Sequence, residues 1–364
     1  MTFCSTGVEA GDLPAITEAT LNRMRVRGDT LADAVALRLD QLPPQRLLAE
    51  LRFLAKSEIG DYQEYLDHAN TPPVWLNHQK LEQARKVLLA FAHVRQLAWF
   101  SGSILRGLSS CIPLPAPLLN QSIIQRLDFN AQLSHALTCE GALTPEGPLH
   151  EYLLRNRLLQ ARQRLTLKEN GWNVLEHGEP YSQEYLLLLL LEHSQLTLQA
   201  MTDLGAQLSA DDNAALQHFW RYVGYLMGIE EAVLPTCLEC ETLLFGHMRA
   251  RYLALQDSLI AQGRMARRLL MPHALFNLSS DTLAAVSRIC LGNGLARQLN
   301  LPRQGQRERA VRLYITATRG ATFAHYHVPG VAPLSEQINL HLLRRNQGDL
   351  SLELDPANLM HRTA

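Results

Sequence analysis

Apolar residues recur at helical spacing along almost the whole of this 364-residue chain. Within residues 30–41, for example, Leu31, Val35 and Leu39 fall on one face of a helix. Runs that alternate with a period of two, as strands require, are nearly absent, and residues 351–354 form the best short candidate. The pattern therefore predicts an all-α fold.

Prolines, glycines and capping residues divide this pattern into separate helices. Ser209 stands where an N-cap is expected, and breaks are expected near Gly102 and Gly107. The predicted helices span residues 30–41, 45–56, 79–108, 122–138, 149–167, 180–205, 211–228, 236–261, 281–299, 305–318 and 335–344.

Repeats, low-complexity segments and flexible linkers are absent from the sequence, so nothing separates two folding units. The length suits a single large helical domain. We expect residues 1–70 to form an N-terminal helical extension packed on the core. Residues 71–300 are expected to form the main domain, and residues 301–364 a C-terminal helical tail.

The composition excludes some classes of partner. Hydrophobic residues make up 47% of the chain and charged residues only 19%, which leaves material for a large core or for an apolar cavity. The formal net charge of −1 gives no long-range attraction to phosphate backbones, so nucleic acid is not an expected partner.

The six cysteines are sparse and irregularly spaced, unlike a disulfide framework. Cys237 and Cys240 form a lone CxxC with no second pair to complete a zinc site, so we interpret them as helix-surface or core residues; a metal or redox site is the alternative. Residues 1–14 do not read as a signal peptide, and no apolar run approaches the ~20 residues of a membrane span. A soluble, cytoplasmic protein without a transmembrane segment is expected.

Motifs of common enzyme classes are also missing. The sequence contains no GxGxxG after a strand, no Walker A loop, no GxSxG elbow and no HExxH. If the protein is an enzyme, the chemistry is therefore expected to come from a cofactor.

His193 is the histidine that best fits such a role. It lies on the predicted helix 180–205, with Leu189 and Leu190 one turn before it and Leu196 and Thr197 one turn after it. A buried imidazole needs a partner, and a haem iron is one partner that a rigid apolar helix can present. A core or boundary histidine is the alternative.

Several elements around this helix, taken in order, resemble the family of latex-clearing proteins (rubber oxygenases) and mpaB-type oxygenases. An arginine-containing stretch at Arg126 and a tryptophan loop at Trp172 belong to the same series. The main elements are residues 71–75 (TPPVW), 157–161 (RLLQA), 178–184 (GEPYSQE) and 218–229 (HFWRYVGYLMGI).

The resemblance implies an all-α fold with a globin-like core around haem b, and so a haem-binding oxygenase-like domain over residues 71–300. It implies that His193 ligates the iron, since the family's proximal histidine follows the Gly-x-Pro element. Arg157 matches the family's distal arginine. Gln160 replaces a lysine or histidine of many relatives, which puts the reaction itself in question. Arg157 and Gln160 are thus the expected catalytic residues.

Further cofactor contacts are expected from the residues around His193. We expect Leu189, Leu190, Leu196 and Thr197 to pack near the macrocycle, and Arg126 to reach a propionate, with a surface ion pair as the alternative. His218 is the second candidate for a haem contact, at a helix boundary. Trp220 is expected in the core, and Gly224 and Gly228 at a close helix contact.

The resemblance further implies an enzyme that uses O2 on a hydrophobic, unsaturated small molecule, with oxidative cleavage of a carbon–carbon double bond as the best-known outcome. Two alternatives stay open on the same fold. One is a non-catalytic helical protein that binds a ligand or another protein. The other is a haem-based sensor of gas or peroxide.

Overall fold

The computed structural model of the chain describes residues 17–39, 42–57, 60–114, 116–270 and 278–353, and within them it contains only helices and the loops between them. The prediction of an all-α fold is confirmed. The α-helices are α1 Glu18–Arg25, α2 Thr30–Ala36, α3 Leu47–Ser57, α4 Asp61–Asn70, α5 His78–Ala90, α6 Ala92–Ala98, α7 Gly107–Ser110, α8 Ala116–Ala136, α9 Pro148–Glu169, α10 Val174–His177, α11 Gln183–Leu191, α12 Thr197–Asp203, α13 Ala210–Leu226, α14 Leu238–Arg251, α15 Gln256–Leu270, α16 Ser280–Gln298, α17 Gly305–His327 and α18 Val331–Glu353.

The centre of the molecule is a helical rod made of α11, the π-helical segment Glu192–Leu196 and α12. Its sequence is apolar on all sides over Leu186–Leu191, as is typical of a helix surrounded by others. Helices α13 and α14 pack on it, and so does a second π-helical segment, Trp99–Arg106. The rod therefore positions His193 in the middle of the largest hydrophobic core.

The N-terminal helices build a smaller core of their own. Helices α2, α3 and α4 pack on one another and on α9, and Leu154, Leu158 and Ala161 are the residues that α9 contributes. The predicted boundaries at residues 70 and 300 fall at the end of α4 and just beyond α16, and the division into three parts stays a prediction. In the described part of the chain, no helix has both the length and the apolar composition to cross a membrane.

Several predicted elements differ from the structure; the helix expected over 305–318, for example, continues to His327. The helix expected over 79–108 is interrupted at Phe91 and continues past Gly102 as a π-helix. The helix expected over 236–261 ends at Arg251, and α15 follows after a short 3-10 turn. The strand candidate 351–354 was wrong for its first three residues, which lie in α18, and Leu354 lies outside the described residues.

The end of α13 also differs from the prediction. Ser209 caps its start as expected, because its side chain accepts a hydrogen bond from the Asp212 amide at 3.1 Å. Gly228, however, lies beyond the helix with φ of 83°, where a Cβ would meet the side chain of Asp29. Gly228 thus serves a left-handed turn and also permits the close approach of Arg157 on α9, and Gly224 lies against Leu190 of the central rod.

Gly102 permits the closest approach to the central rod, and replacing it is expected to destabilise the fold. A Cβ at this position would lie 2.5 Å from the Ala200 Cβ and 2.6 Å from the Leu196 carbonyl oxygen. Because a backbone atom cannot rotate away, Gly102→Ala is expected to lower the free energy of unfolding by about 1–3 kcal/mol in urea denaturation. The control is Gly246→Ala on α14, which meets nothing within 4 Å and should stabilise by about 0.5–1 kcal/mol. Equal effects of the two changes would contradict this account.

Candidate functional site

His193 has one ring nitrogen anchored and the other free. Its Nδ1 lies 2.7 Å from the Leu189 carbonyl oxygen, and because a carbonyl only accepts, the Nδ1 proton is donated there. Its Nε2 is buried and has no hydrogen-bond partner among the described residues. Burial also lowers the pKa of His193, so the ring is neutral at physiological pH. Neutral imidazole with an anchored Nδ1 and a free Nε2 lone pair is the form that binds a metal ion.

The backbone around His193 is a π-helical turn, Glu192–Leu196, and it packs against the other π-helical segment, Trp99–Arg106. Such turns are rare and occur frequently at functional sites. Ser103 on the facing segment donates a hydrogen bond to the Glu192 carboxylate at 3.1 Å. The two segments are thus tied together by polar contacts one residue away from the imidazole.

Two small cavities meet at His193 and Trp220, which line both of them. The first, named here the Gln160 cavity, has a volume of about 30 Å³. The second, named the Arg95 cavity, also has a volume of about 30 Å³. The Gln160 cavity is lined by Ser122, Gln125, Arg126, Phe129, Leu153, Asn156, Gln160, Tyr185, Leu189, Leu190, His193, Trp220 and Met227. The Arg95 cavity is lined on the other side by Leu88, Arg95, Trp99, Leu133, Thr197, Met201, Leu216 and Glu241, among others.

Most of the residues singled out in the sequence meet at these cavities. Gln160, Arg126, Leu189 and Leu190 line the Gln160 cavity together with His193, and Thr197 lines the Arg95 cavity. Leu196 is buried beside Gly102 and lines neither cavity.

Arg157 is not among the residues that line either cavity. It is buried, and its guanidinium forms a two-pronged ion pair with Asp29, with Nη2 at 2.9 Å from Oδ1 and Nε on Oδ2. The same group also stacks over the Tyr65 ring at 4.8 Å. Burial disfavours its charge, but Asp29 outweighs burial, so the pKa of Arg157 is raised. A catalytic role for Arg157 stays a prediction, and it requires the Asp29 contact to open.

Arg126 lines the Gln160 cavity but is already paired. Its Nε and Nη2 each lie 3.0 Å from a different oxygen of Glu192, and both side chains are buried. Burial works against the charge of Arg126, and the Glu192 carboxylate overcomes it, so the pKa is raised. The alternative of a surface ion pair was wrong in one respect, because this ion pair lies in the core.

His218 was expected at a helix boundary, but it lies within α13. Its Nε2 accepts a hydrogen bond from the Asn77 amide at 2.9 Å, and its ring lies edge-on to Trp75. Burial lowers the pKa of His218 to about 4. Because its free nitrogen is already used and it lines neither cavity, His218 serves as a packed core residue.

Two aromatic residues close the space beside the imidazole. Phe129 lies edge-on to the His193 ring with 4.8 Å between centroids, and Trp220 lies at 6.0 Å. Trp220 is buried, as expected. Phe129 was missed in the sequence, because the arginine-containing stretch at Arg126 does not show that the residue one turn later faces the same cavity.

A larger cavity of about 430 Å³ lies next to the Gln160 cavity, and Ser122 and Tyr185 line both. Their hydroxyl groups are 3.1 Å apart and hydrogen-bonded. The large cavity is lined further by apolar residues and by polar residues of the segment 172–185; the apolar ones include Ile112, Leu114, Leu118 and Leu188. The Ser122–Tyr185 hydrogen bond is therefore part of the wall between the two spaces.

Cys237 and Cys240 form a disulfide at the start of α14, and their interpretation as helix-surface or core cysteines did not include this bond. The spacing puts both sulfur atoms on the first turn of a helix, which brings them within bonding reach. Leu238 and Glu241 of the same turn line the Arg95 cavity.

Glu241 should make the stability of the protein depend on pH. Burial raises the pKa of Glu241 to about 7, although the hydrogen bond from Ser194 opposes this. The folded protein therefore holds a proton that the unfolded chain has released, so stability is highest below the unfolded pKa of 4.5 and falls as the pH rises to about 7.

Glu241→Gln should remove this part of the pH dependence. In the parent, it lowers the free energy of unfolding by roughly 3 kcal/mol at most between pH 4.5 and 7. Urea denaturation of both proteins at pH 5 and pH 8 measures it, with the exposed Glu239→Gln of the same helix as control. A variant that loses as much stability as the parent between these two pH values would refute this role of Glu241.

Residues 122–320, more than half of the chain, match the family described as "ER-bound oxygenase mpaB/B'/Rubber oxygenase, catalytic domain". The chain therefore belongs to this family of oxygenases. A curated relative, the rubber oxygenase of Streptomyces sp. (strain K30), is 20% identical over 266 residues. That match covers 69% of this chain and 63% of the relative, so it spans less than two thirds of that protein.

A solved structure of latex clearing protein LCP in the closed state has a similar fold. It superposes with a TM-score of 0.63 at 18% sequence identity, over 88% of this chain and 90% of that chain. At this identity the likeness shows the fold alone, and it agrees with the single all-α domain described above.

The side chains at the site meet the donor requirement of a haem. His193 supplies a buried neutral nitrogen without a partner, and leucines line the adjoining space. The cavities beside it are small because Phe129 and Trp220 pack toward the imidazole. Binding of a macrocycle therefore requires these two rings to turn aside, which makes Trp220 a reporter of occupancy.

Proposed function

We propose that this protein binds haem b through His193 and uses O2 to oxidise a hydrophobic, unsaturated small molecule, with cleavage of a carbon–carbon double bond as the reaction. One observation supports this most strongly. The Nε2 of His193 is buried without a partner while Nδ1 is anchored on Leu189, at the junction of two cavities. Leaving such a polar atom unsatisfied is costly unless it has a ligand.

The residues that would hold the cofactor surround this nitrogen. Leu189 and Leu190 would form an apolar wall on one side and Thr197 on the other, with Leu196 buried behind them. Arg126 is held by Glu192, and it would present the cationic side of this buried ion pair to a propionate at the edge of the Gln160 cavity. When bound, the haem iron supplies the site at which O2 is activated.

The polar side of the Gln160 cavity comes from α8, α9 and α11. Gln160 and Asn156 lie one turn apart on α9 and present amide groups to the same space as His193. Each amide group can donate a hydrogen bond to an oxygen atom of a bound ligand, but it adds no charge to the cavity. Arg157 would add charge only if its ion pair with Asp29 opened.

The large cavity is suited to the hydrophobic substrate. Its volume of about 430 Å³ lies within the range of ~300–1,000 Å³ typical of small-molecule sites. Leu114, Leu118 and Leu188 give it an apolar wall, and Tyr185 and Ser122 link it to the Gln160 cavity. Displacement of the Ser122–Tyr185 hydrogen bond would connect the substrate to the space beside His193.

The proposed reaction is balanced without an added reductant. One double bond and one molecule of O2 give two carbonyl groups, so both oxygen atoms enter the products. The test is to titrate the purified protein with haemin, to record the Soret band, and then to measure O2 uptake with farnesene and with its saturated counterpart farnesane. We expect uptake, and carbonyl products, with farnesene alone.

A second candidate function is non-catalytic binding of a hydrophobic ligand. It is favoured by one observation: His193 is not among the residues that line the large cavity. Two outcomes separate the candidates. Protein that binds farnesene but gives no Soret band would support binding alone. A Soret band without O2 uptake on either hydrocarbon would indicate a haem-containing sensor instead.

A further inference from the structure

Arg95 on α6 is a buried cation whose hydrogen-bond partners are both neutral. Its side chain is 2% exposed. Its Nη1 donates to Asn130 Oδ1 at 2.9 Å and its Nη2 to Ser134 Oγ at 2.8 Å. Its Nε has no hydrogen-bond partner in the part of the chain that the structure describes. Neither an amide nor a hydroxyl oxygen compensates a full positive charge.

The other buried arginines provide a comparison for the hydrogen-bond partners of Arg95. Among the described residues, four further arginines are buried to a similar degree, and each is paired with a carboxylate. These pairs are Arg126–Glu192, Arg157–Asp29, Arg164–Asp33 and Arg288–Glu308. Arg95 differs from all four in having no carboxylate of the described chain at ion-pair distance.

Arg95 also lies in the cavity that contains His193. Burial lowers the pKa of Arg95 to about 10, which still leaves it charged at neutral pH. The one acidic side chain among the lining residues is Glu241, whose carboxylate is bonded to Ser194 instead. The charge of Arg95 in this cavity is therefore uncompensated, and an isolated buried charge is costly.

A second unsatisfied donor lies one helical turn away. Trp99 follows Arg95 by four residues, so both side chains project to the same side of the helix. The indole Nε1 of Trp99 is buried without a hydrogen-bond partner and lines the same cavity. The hydroxyl of Thr197 is likewise unpaired there. These three groups need acceptor atoms, and one of them needs a negative charge.

We infer that Arg95 and Trp99 bind the carboxylate of a ligand that occupies the Arg95 cavity. A carboxylate brings one negative charge and two acceptor oxygens, which fits a guanidinium Nε beside an indole N–H. Leu88, Leu133, Met201 and Leu216 line the same cavity, so the ligand meets apolar side chains next to its carboxylate. The cavity of about 30 Å³ exceeds the ~10–15 Å³ that one water needs and admits the head group.

Two sources supply a carboxylate of this chemistry. One is a propionate of haem, and the inference in this form rests on the proposed function. The other is a long-chain carboxylic acid bound as substrate or product. The experiment therefore has two arms, each comparing a probe that has the carboxylate with a probe that lacks its charge. The first pair is haemin and haemin dimethyl ester, and the second is dodecanoate and dodecanol.

Dissociation constants are measured by quenching of tryptophan fluorescence, for the parent and for Arg95→Met. In one of the two pairs, the parent should prefer the acid by about 10–100-fold, the range of a charged hydrogen bond of ~1.5–3 kcal/mol. Arg95→Met should abolish that preference and leave binding of the uncharged probe unchanged. Trp99→Phe keeps the ring and should reduce the preference only about 2–10-fold.

Each remaining outcome bears on the proposal. A parent that binds both members of each pair equally overturns it, and so does a preference that survives in Arg95→Met. If Arg95→Met does not fold, the comparison within the parent still tests for the carboxylate, and Arg95→Lys should retain part of the preference. Failure of the parent to bind either haemin probe would reject the haem proposal, and the dodecanoate arm alone would then test Arg95.

Discussion

Replacing His193 with alanine is expected to abolish stable binding of haem. Loss of a residue that only orients a metal ligand typically weakens binding 10–100-fold, so loss of the ligand itself should weaken it by at least about 100-fold. In a haemin titration the parent should develop a sharp Soret band and lose part of the fluorescence of its four tryptophans, of which Trp220 lines both cavities. His193→Ala should show only the broad spectrum of unligated haemin.

The control for this change is His218→Ala. Both histidines lie in the core, but the Nε2 of His218 is bonded to the Asn77 amide and the residue lines neither cavity. We expect this variant to bind haemin as the parent does. Addition of free imidazole to His193→Gly should restore part of the Soret band, because it supplies the missing nitrogen. An unchanged spectrum in His193→Ala would place the ligand elsewhere and remove the main support for the proposed function.

Removal of the Glu192 carboxylate should cause the largest loss of stability. Glu192→Leu leaves Arg126 charged at 2% exposure with its hydrogen bonds to Ser122 but no carboxylate partner, and breaking a buried pair in this way costs about 3–5 kcal/mol. The two hydrogen bonds of 3.0 Å and the contact from Ser103 are lost together. Urea denaturation at pH 7 measures the difference in the free energy of unfolding.

The control pair is Arg307 and Asp281, which are about half exposed and 3.8 Å apart. Asp281→Asn should cost no more than about 1 kcal/mol, because water screens exposed charges. A double variant, Arg126→Met with Glu192→Leu, removes both charges and should recover most of the stability lost in Glu192→Leu. If Glu192→Leu and Asp281→Asn had similar effects, the buried ion pair would not stabilise the rod beside His193.

The sequence predicted the fold class and many of the helices because their periodicity is strong. Helix 149–167, for instance, differs from α9 by only a few residues at its ends. Breaks were harder to predict. Gly102 was expected to end a helix, but the chain continues through it as a π-helix, since the absence of a side chain lets the segment approach Ala200. The spacing of apolar residues does not distinguish a glycine that permits close packing from a glycine that ends a helix.

The residues of the candidate site were likewise only partly predictable from the sequence. His193, Gln160, Leu189 and Leu190 could be placed together because they occupy two predicted helices with recognisable motifs. Arg95 and Phe129 could not, because α6 has no motif and the arginine-containing stretch of α8 does not show which of its other side chains face inward. The partner of Arg157 was equally hidden, since Asp29 is 128 residues away along the chain.

The π-helical turn at Glu192–Leu196 holds one residue more than an α-helical turn would need. A chain one residue shorter at this point would cover the same turn as an uninterrupted α-helix, so the residues before and after the turn would keep their places. The side chains within the turn, including that of His193, would change direction. Deletion of a single residue such as Gln195 is therefore expected to yield a more regular helix with a lost site. The inverse change, insertion of one residue into a core helix of a plain bundle, would create such a turn. A single genetic step could thus give a core helix a ligand-binding face.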